Sequence, residues 1–147
     1  MSLESLVKTG QLKAHPVDAR EIEQLLVSAR RNLTDARATN ISAETRFDAA
    51  YKAIMQRALA ALMMHGYRPD TKRLGHHMMA IQSLSLTVRI ARTRVIVLDA
   101  LRRQRNVADY SGDDIDTSTA EHCIREAEHV IDRVVAWRAV NRSDLVP

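Results

Sequence analysis

Apolar residues recur at three- and four-residue steps along most of this chain, and that period belongs to the α-helix. Ile22, Leu25, Leu26, Ala29, Leu33 and Ala36 make one stripe on a helix of roughly twenty residues. Phe47, Ala50, Tyr51, Ile54, Ala58, Ala61 and Leu62 make a second stripe. Ser42 can cap that helix, Gly66 can terminate it, and Pro69 prevents its continuation. Two long amphipathic helices with a short join predict an antiparallel hairpin. A shorter helix follows from about His76 to Leu84. The run Arg94 to Leu98 is β-branched enough for a buried strand, but it continues through Arg105 beyond typical strand length and has no second run to pair with. It therefore predicts a helix, buried on most sides in its middle and broken at Ser111-Gly112. Ser118 and Glu121 have the spacing of a capping box and open a last helix, whose stripe is Ala120, Ile124, Ala127, Ile131, Val134, Val135 and Arg138, with Trp137 beside it.

With 147 residues, 46% of them hydrophobic, the chain can bury one continuous core and has the size of one domain. Aromatics at 3%, four glycines and three prolines leave helix formers dominant, so the expected class is all-α, a four- to five-helix up-down bundle. Residues 1–16 show no sustained period and end in His15-Pro16, which predicts a flexible arm; residues 17–140 carry the bundle and 141–147 a C-terminal tail. Cys123 is the single cysteine, so no internal disulfide or CxxC pair exists, in keeping with a cytoplasmic location. The amino terminus does not read as a signal peptide, and no run approaches ~18 apolar residues, so no membrane span is expected.

The formal charge of +4 is unevenly spread. From Leu86 to Arg105 six arginines (Arg89, Arg92, Arg94, Arg102, Arg103, Arg105) face Asp99 alone, whereas Asp113 to Asp132 holds seven acids against Arg125 alone. Two readings of the basic run stay open: a solvated helix face, or a surface for RNA or a partner.

Leu101-Arg102-Arg103-Gln104-Arg105-Asn106-Val107-Ala108-Asp109-Tyr110 resembles the Arg-x4-His signature of HEPN-family ribonucleases, with tyrosine in place of histidine. Ser42 to Tyr51, Gly75-His76-His77 and Val97 to Asn106 extend the resemblance to the HEPN superfamily, in particular a bacterial group within it, over about residues 17–140. The resemblance implies a helical bundle that dimerises and places the motifs of both subunits around one cleft. In active members the ribose 2′-hydroxyl attacks the adjacent phosphate without a metal or other cofactor. Carried onto this chain, Arg105 is the phosphate-binding cation, Asn106 the polar residue that orients phosphate, and Tyr110 stands where the proton carrier belongs. A phenol ionises only near ~10 and is a poor general base at neutral pH, although it can donate a proton or stack on a base. Arg102, Arg103, His76 and His77 are the further candidates for RNA contact, either histidine also serving as a replacement base or simply as part of a helix start.

Geometry adds a constraint of its own. Positions 105 and 110 lie roughly 140° apart around a regular helix, so they face one small ligand only if the helix ends between them or two copies meet, while Arg102, Arg105, Asn106 and Asp109 share one face. The bland reading is that Arg105 pairs with Asp109 or caps the helix end and Tyr110 packs across the bundle. His122, Glu126 and His129 share a helix face but lack a fourth ligand, so no metal is expected. Asp113-Asp114-Ile115-Asp116 is not a calcium loop, and the methionines read as packing residues. The expected function is RNA or nucleotide binding of a toxin or defence type, with cleavage by a degenerate metal-independent endoribonuclease left open. A homodimer is expected, with an antitoxin or a nucleotidyltransferase as partner. The alternative is a non-catalytic dimeric helical protein-interaction module.

Overall fold

The computed structural model describes residues 1–147 and is all-α apart from one small two-stranded sheet. In chain order the elements are α1 (Leu3–Lys8), β1 (Leu12–Ala14), α2 (Ala19–Ala36), α3 (Ala43–Met64), β2 (Tyr67–Pro69), α4 (His76–Gln82), α5 (Leu84–Thr87), α6 (Arg92–Ser111), α7 (Thr117–Asn141) and a closing 3-10 turn (Ser143–Leu145). Ser42 caps α3 by accepting from the Thr45 amide at 3.1 Å. Gly66, at φ +84°, turns the chain out of α3 in a conformation that a residue with a Cβ rarely adopts.

α3 is the central helix, packed along α2 on one side and α7 on the other. Ala50, Ala53, Ala58, Ala60 and Ala61 are all fully buried on it, and such small side chains let two neighbours approach a single helix from different directions. α2 and α3 run antiparallel, as the interhelical bonds from Asn32 Nδ2 to Gln56 Oε1 (2.7 Å) and from Arg46 Nε to the Ala36 carbonyl (2.9 Å) require. α7 runs parallel to α3, its Cys123 beside Phe47 and its end joined by Arg142 to the Met64 carbonyl at 2.6 Å. α4, α5 and α6 carry the chain back between them. Ion pairs Arg138–Glu23 (2.5 Å) and Arg37–Glu128 (3.0 Å) tie α7 to α2.

Arg57 lies wholly inside this packing. One of its nitrogens donates to the Leu26 carbonyl at 2.8 Å, while Nε and Nη1 find no protein partner. Burial, with the neighbouring charges of Arg30 and Arg138, pulls its pKa down to about 10.

Several expectations are corrected. Residues 1–16 are no loose arm: Leu3, Leu6 and Leu12 enter the main core, and β1 pairs antiparallel with β2, Leu12 opposite Pro69 and Ala14 opposite Tyr67. The strand partner lies more than fifty residues away, so no local pattern announces it. The last residues are also anchored, with Leu145 buried and Arg142 paired to Asp144 at 3.0 Å. The His76–Leu84 helix is two short helices meeting at Ser83. Asp116 rather than Ser118 caps α7, accepting from the Thr119 amide at 2.7 Å, so the helix begins two residues before the position that the Ser118–Glu121 capping box marked. α6 is buried on one face only, Ile96 standing exposed where a more enclosed helix was expected. Leu12→Ala should therefore cost about 3 kcal/mol in urea-unfolding free energy, as for a core leucine; a change below about 0.5 kcal/mol, normal for a mobile surface residue, would restore the arm.

Candidate nucleic-acid interface

α6 positions the basic residues through one buried acid. Asp99 accepts from Arg102 Nε at 2.9 Å and pairs with Arg103 Nη2 at 3.0 Å, one carboxylate holding two guanidiniums one turn along the same helix. Burial works to raise the Asp99 pKa, but the hydrogen bonds and charges of Arg102 and Arg103 outweigh it and leave it below the ordinary carboxylate value. Arg102 is largely sequestered, whereas Arg103 remains mostly open to solvent.

Arg105 turns inward to α3. Its guanidinium carbon stands 5.0 Å from the centroid of the Tyr51 ring, and its Nε lies 3.8 Å from an Asp48 carboxylate oxygen. From α4, His77 packs its ring against the same tyrosine at 6.3 Å between centroids, and His76 meets His77 edge to face at 4.7 Å. α3, α4 and α6 thus converge on Tyr51, which joins Arg105 and His77.

The electrostatics follow from that convergence. Burial pushes the Tyr51 hydroxyl up to about 12 against the opposing pull of Arg105 and Arg102, and that hydroxyl has no hydrogen-bond partner. His77 is pushed below its ordinary value by burial first and by His76, Arg105 and Arg102 after it, so its ring is neutral at physiological pH. The Asp48 carboxyl is raised, by burial chiefly and by Asp109, with Arg105 opposing. A neutral imidazole and a guanidinium packed on the same aromatic ring can meet an anion, the imidazole taking up a proton as it does so.

Not all the motif residues join this cluster. α6 is unbroken from Arg92 to Ser111, so Tyr110 stays on a different face from Arg105 and is 94% exposed. It neither packs across the bundle nor approaches the Tyr51 cluster, and Arg105 pairs with Asp48 rather than with Asp109 or a helix terminus. Asn106 is exposed. Tyr110 instead falls on an outer stripe with Ile96, Ala100, Arg103 and Val107, spaced by four and three residues in turn and all exposed. Below that stripe runs a groove of about 380 Å³ floored by Ala108 and Ile115 and edged by Asp113 and Asp114.

Tyr51 and Asp48 are the participants that the sequence pattern concealed. Tyr51 sits in the apolar stripe of α3, where an aromatic reads as core; the only hint is a hydroxyl in a stripe otherwise apolar. Elsewhere, Glu126 is engaged by Arg94 at 2.6 Å, and no three His, Cys, Asp or Glu side chains are grouped to share a metal ion. No helix is long and apolar enough to cross a membrane. No protein-family model, curated protein or solved structure matches the chain.

Two outcomes are expected. Tyr51→Phe removes a hydroxyl that makes no bond and should leave stability unchanged or raise it by up to about 1 kcal/mol, while Tyr51→Ala should cost roughly 4 kcal/mol in chemical denaturation. Equal losses in the two variants would mean that the hydroxyl is bonded. The depressed His77 pKa means that the unfolded chain binds a proton more readily, so this histidine's stabilising share is present above its ordinary value of 6.5 and is lost as pH falls through its lower folded value. Melting temperatures of wild type and His77→Asn, measured from pH 7.5 to 5, should show the steeper decline in wild type; parallel curves would contradict the placement of the ring.

Proposed function

We propose that the protein is an RNA- or nucleotide-binding helical bundle, HEPN-like and of the toxin or defence type, that holds phosphate at Arg105 with Arg102, His76 and His77 around it. The observation that carries this reading is the meeting of Arg105 and the neutral His77 on the Tyr51 ring. A guanidinium in such a place offers forked donors to phosphate oxygens, and stacking groups around it suit a nucleobase. Asn106 extends the reach along the exposed side of α6, whereas Arg103 lies on the outer stripe, away from Arg105.

Binding is favoured over cleavage. Transesterification needs a cation, a proton acceptor and a proton donor around one phosphate, and Arg105 and Tyr110 point to different surfaces of an unbroken helix. His77 and the Asp48 carboxylate are the groups of this cluster suited to accept a proton, so any residual cleavage would pass through one of them rather than Tyr110. The homodimer belongs to the same proposal. The outer stripe of α6, from Ile96 to Tyr110, has the alternating four-three spacing of a helix seam, and a second copy is the partner that would cover it. Arg105 lies roughly opposite Ile96 on the helix wheel. Each subunit would then carry its own phosphate site, with Tyr110 serving the seam. An antitoxin or nucleotidyltransferase partner rests on the family resemblance alone.

Filter retention of mixed RNA by the purified protein tests the proposal. Wild type should retain RNA at about 50 mM salt and lose it steeply by about 200 mM. Arg105→Ala should weaken retention about tenfold and lower the salt slope by about one. The RNA recovered should carry no new cyclic-phosphate ends. Absence of retention at low salt, or identical retention by the variant, removes the RNA site; cyclic ends that vanish in His77→Asn would reinstate cleavage.

A further inference from the structure

A second site lies at the far end of α3, about 14 residues from Tyr51 and so roughly 20 Å along the helix. Here the carboxyl-terminal turns of α7, the end of α5 and His65 enclose a cavity of about 430 Å³, within the range of small-molecule pockets. Arg133, Trp137 and Asn141, one turn apart, present one face of α7 to it. The His65 and Trp137 rings pack at 4.7 Å between centroids with 35° between planes, and His65 Nε2 lies 2.9 Å from the Thr87 carbonyl, so the aromatic wall is braced from behind.

The cavity is cationic and uncompensated. No carboxylate lines it. Arg133 Nε donates to the Val88 carbonyl at 2.7 Å, which fixes the guanidinium plane and leaves both terminal nitrogens unpartnered by protein. Arg89 is in no ion pair or side-chain hydrogen bond.

Arg89 is also the one non-glycine residue of the chain at positive φ, +58°. The amides of Val88 and Ile90 both donate to the Leu84 carbonyl at 3.2 Å, so Arg89 occupies the left-handed position that closes a helix and that glycine ordinarily fills. An arginine there adds strain that no hydrogen bond or ion pair of its side chain within the protein offsets. Its side chain does reach the cavity wall.

From these features we infer that the cavity binds a small organic anion: a flat aromatic or heteroaromatic ring carrying a carboxylate or a phosphate. The ring packs on Trp137, and the anionic head is held by Arg89 and Arg133, with the Asn141 side chain as a neutral hydrogen-bonding group. The site is independent of the Tyr51 cluster, and its test does not depend on RNA binding.

Trp137 is the single tryptophan, so its fluorescence reports directly on the site. The probes are adenosine 5′-monophosphate, benzoate and inorganic phosphate, titrated separately into the full-length protein with excitation on the red edge of the indole band. At least one of the two organic anions should give a saturable change, the tighter of them identifying the head group, and inorganic phosphate should bind at least tenfold more weakly. Arg89→Gly should weaken the organic anion about tenfold while raising the melting temperature by about 3 °C, since glycine relieves the backbone. No saturation by either organic anion overturns the site, and inorganic phosphate binding as well as both overturns the flat body. An Arg89→Gly protein that binds as tightly as wild type, or melts lower, overturns the role of Arg89.

Discussion

The structure depends on how closely α2 and α7 can approach α3. A bundle with one phenylalanine, one tryptophan and three tyrosines has few large rings with which to fill space. It substitutes proximity for bulk: the fully buried alanines of α3 allow helix surfaces to meet almost backbone to backbone, and the resulting dispersion contacts are many although each is small. That closeness lets Arg57 reach the Leu26 carbonyl of α2 across the interface, although its two other nitrogens stay unpartnered at a cost in stability.

α6 stands outside this three-helix core, attached mainly through α4 and one edge of α3. The separation has electrostatic consequences. Because only one face of α6 is covered, its arginines divide into those disciplined by acids and those left to solvent. Asp99 organises Arg102 and Arg103, and Asp48 with the Tyr51 ring receives Arg105. The positive segment is therefore much less bare than its formal charge suggests, and Arg105 is the member set into a structured environment.

The same exposure divides the Arg-x4-Tyr element. A continuous helix sends residues five apart to different faces, and nothing in residues 105–110 interrupts it, the glycine that ends α6 coming only at position 112. Arg105 meets α3 and α4, while Tyr110 joins Ile96 and Val107 on the outside. α6 therefore carries Arg105 toward Tyr51 on one side and a largely apolar, exposed stripe on the other.

Periodicity and composition by themselves determined the helical class, the stripes of α2, α3 and α7, the Ser42 cap and the break at Gly112, because each depends on residues within a few positions of one another. The charge run likewise marked the basic segment that holds Arg102 and Arg105. Tertiary structure alone decided the rest. Leu12 needs a strand partner beyond fifty residues, Tyr51 becomes a floor for Arg105 only when α6 crosses α3, and Arg89 and Trp137 meet at one cavity only because α5 ends against α7. Stripes state which face of a helix avoids water, but the neighbour that covers the face is chosen by packing among segments distant in sequence, and it is the neighbour that turns a buried ring or a solitary arginine into part of a site.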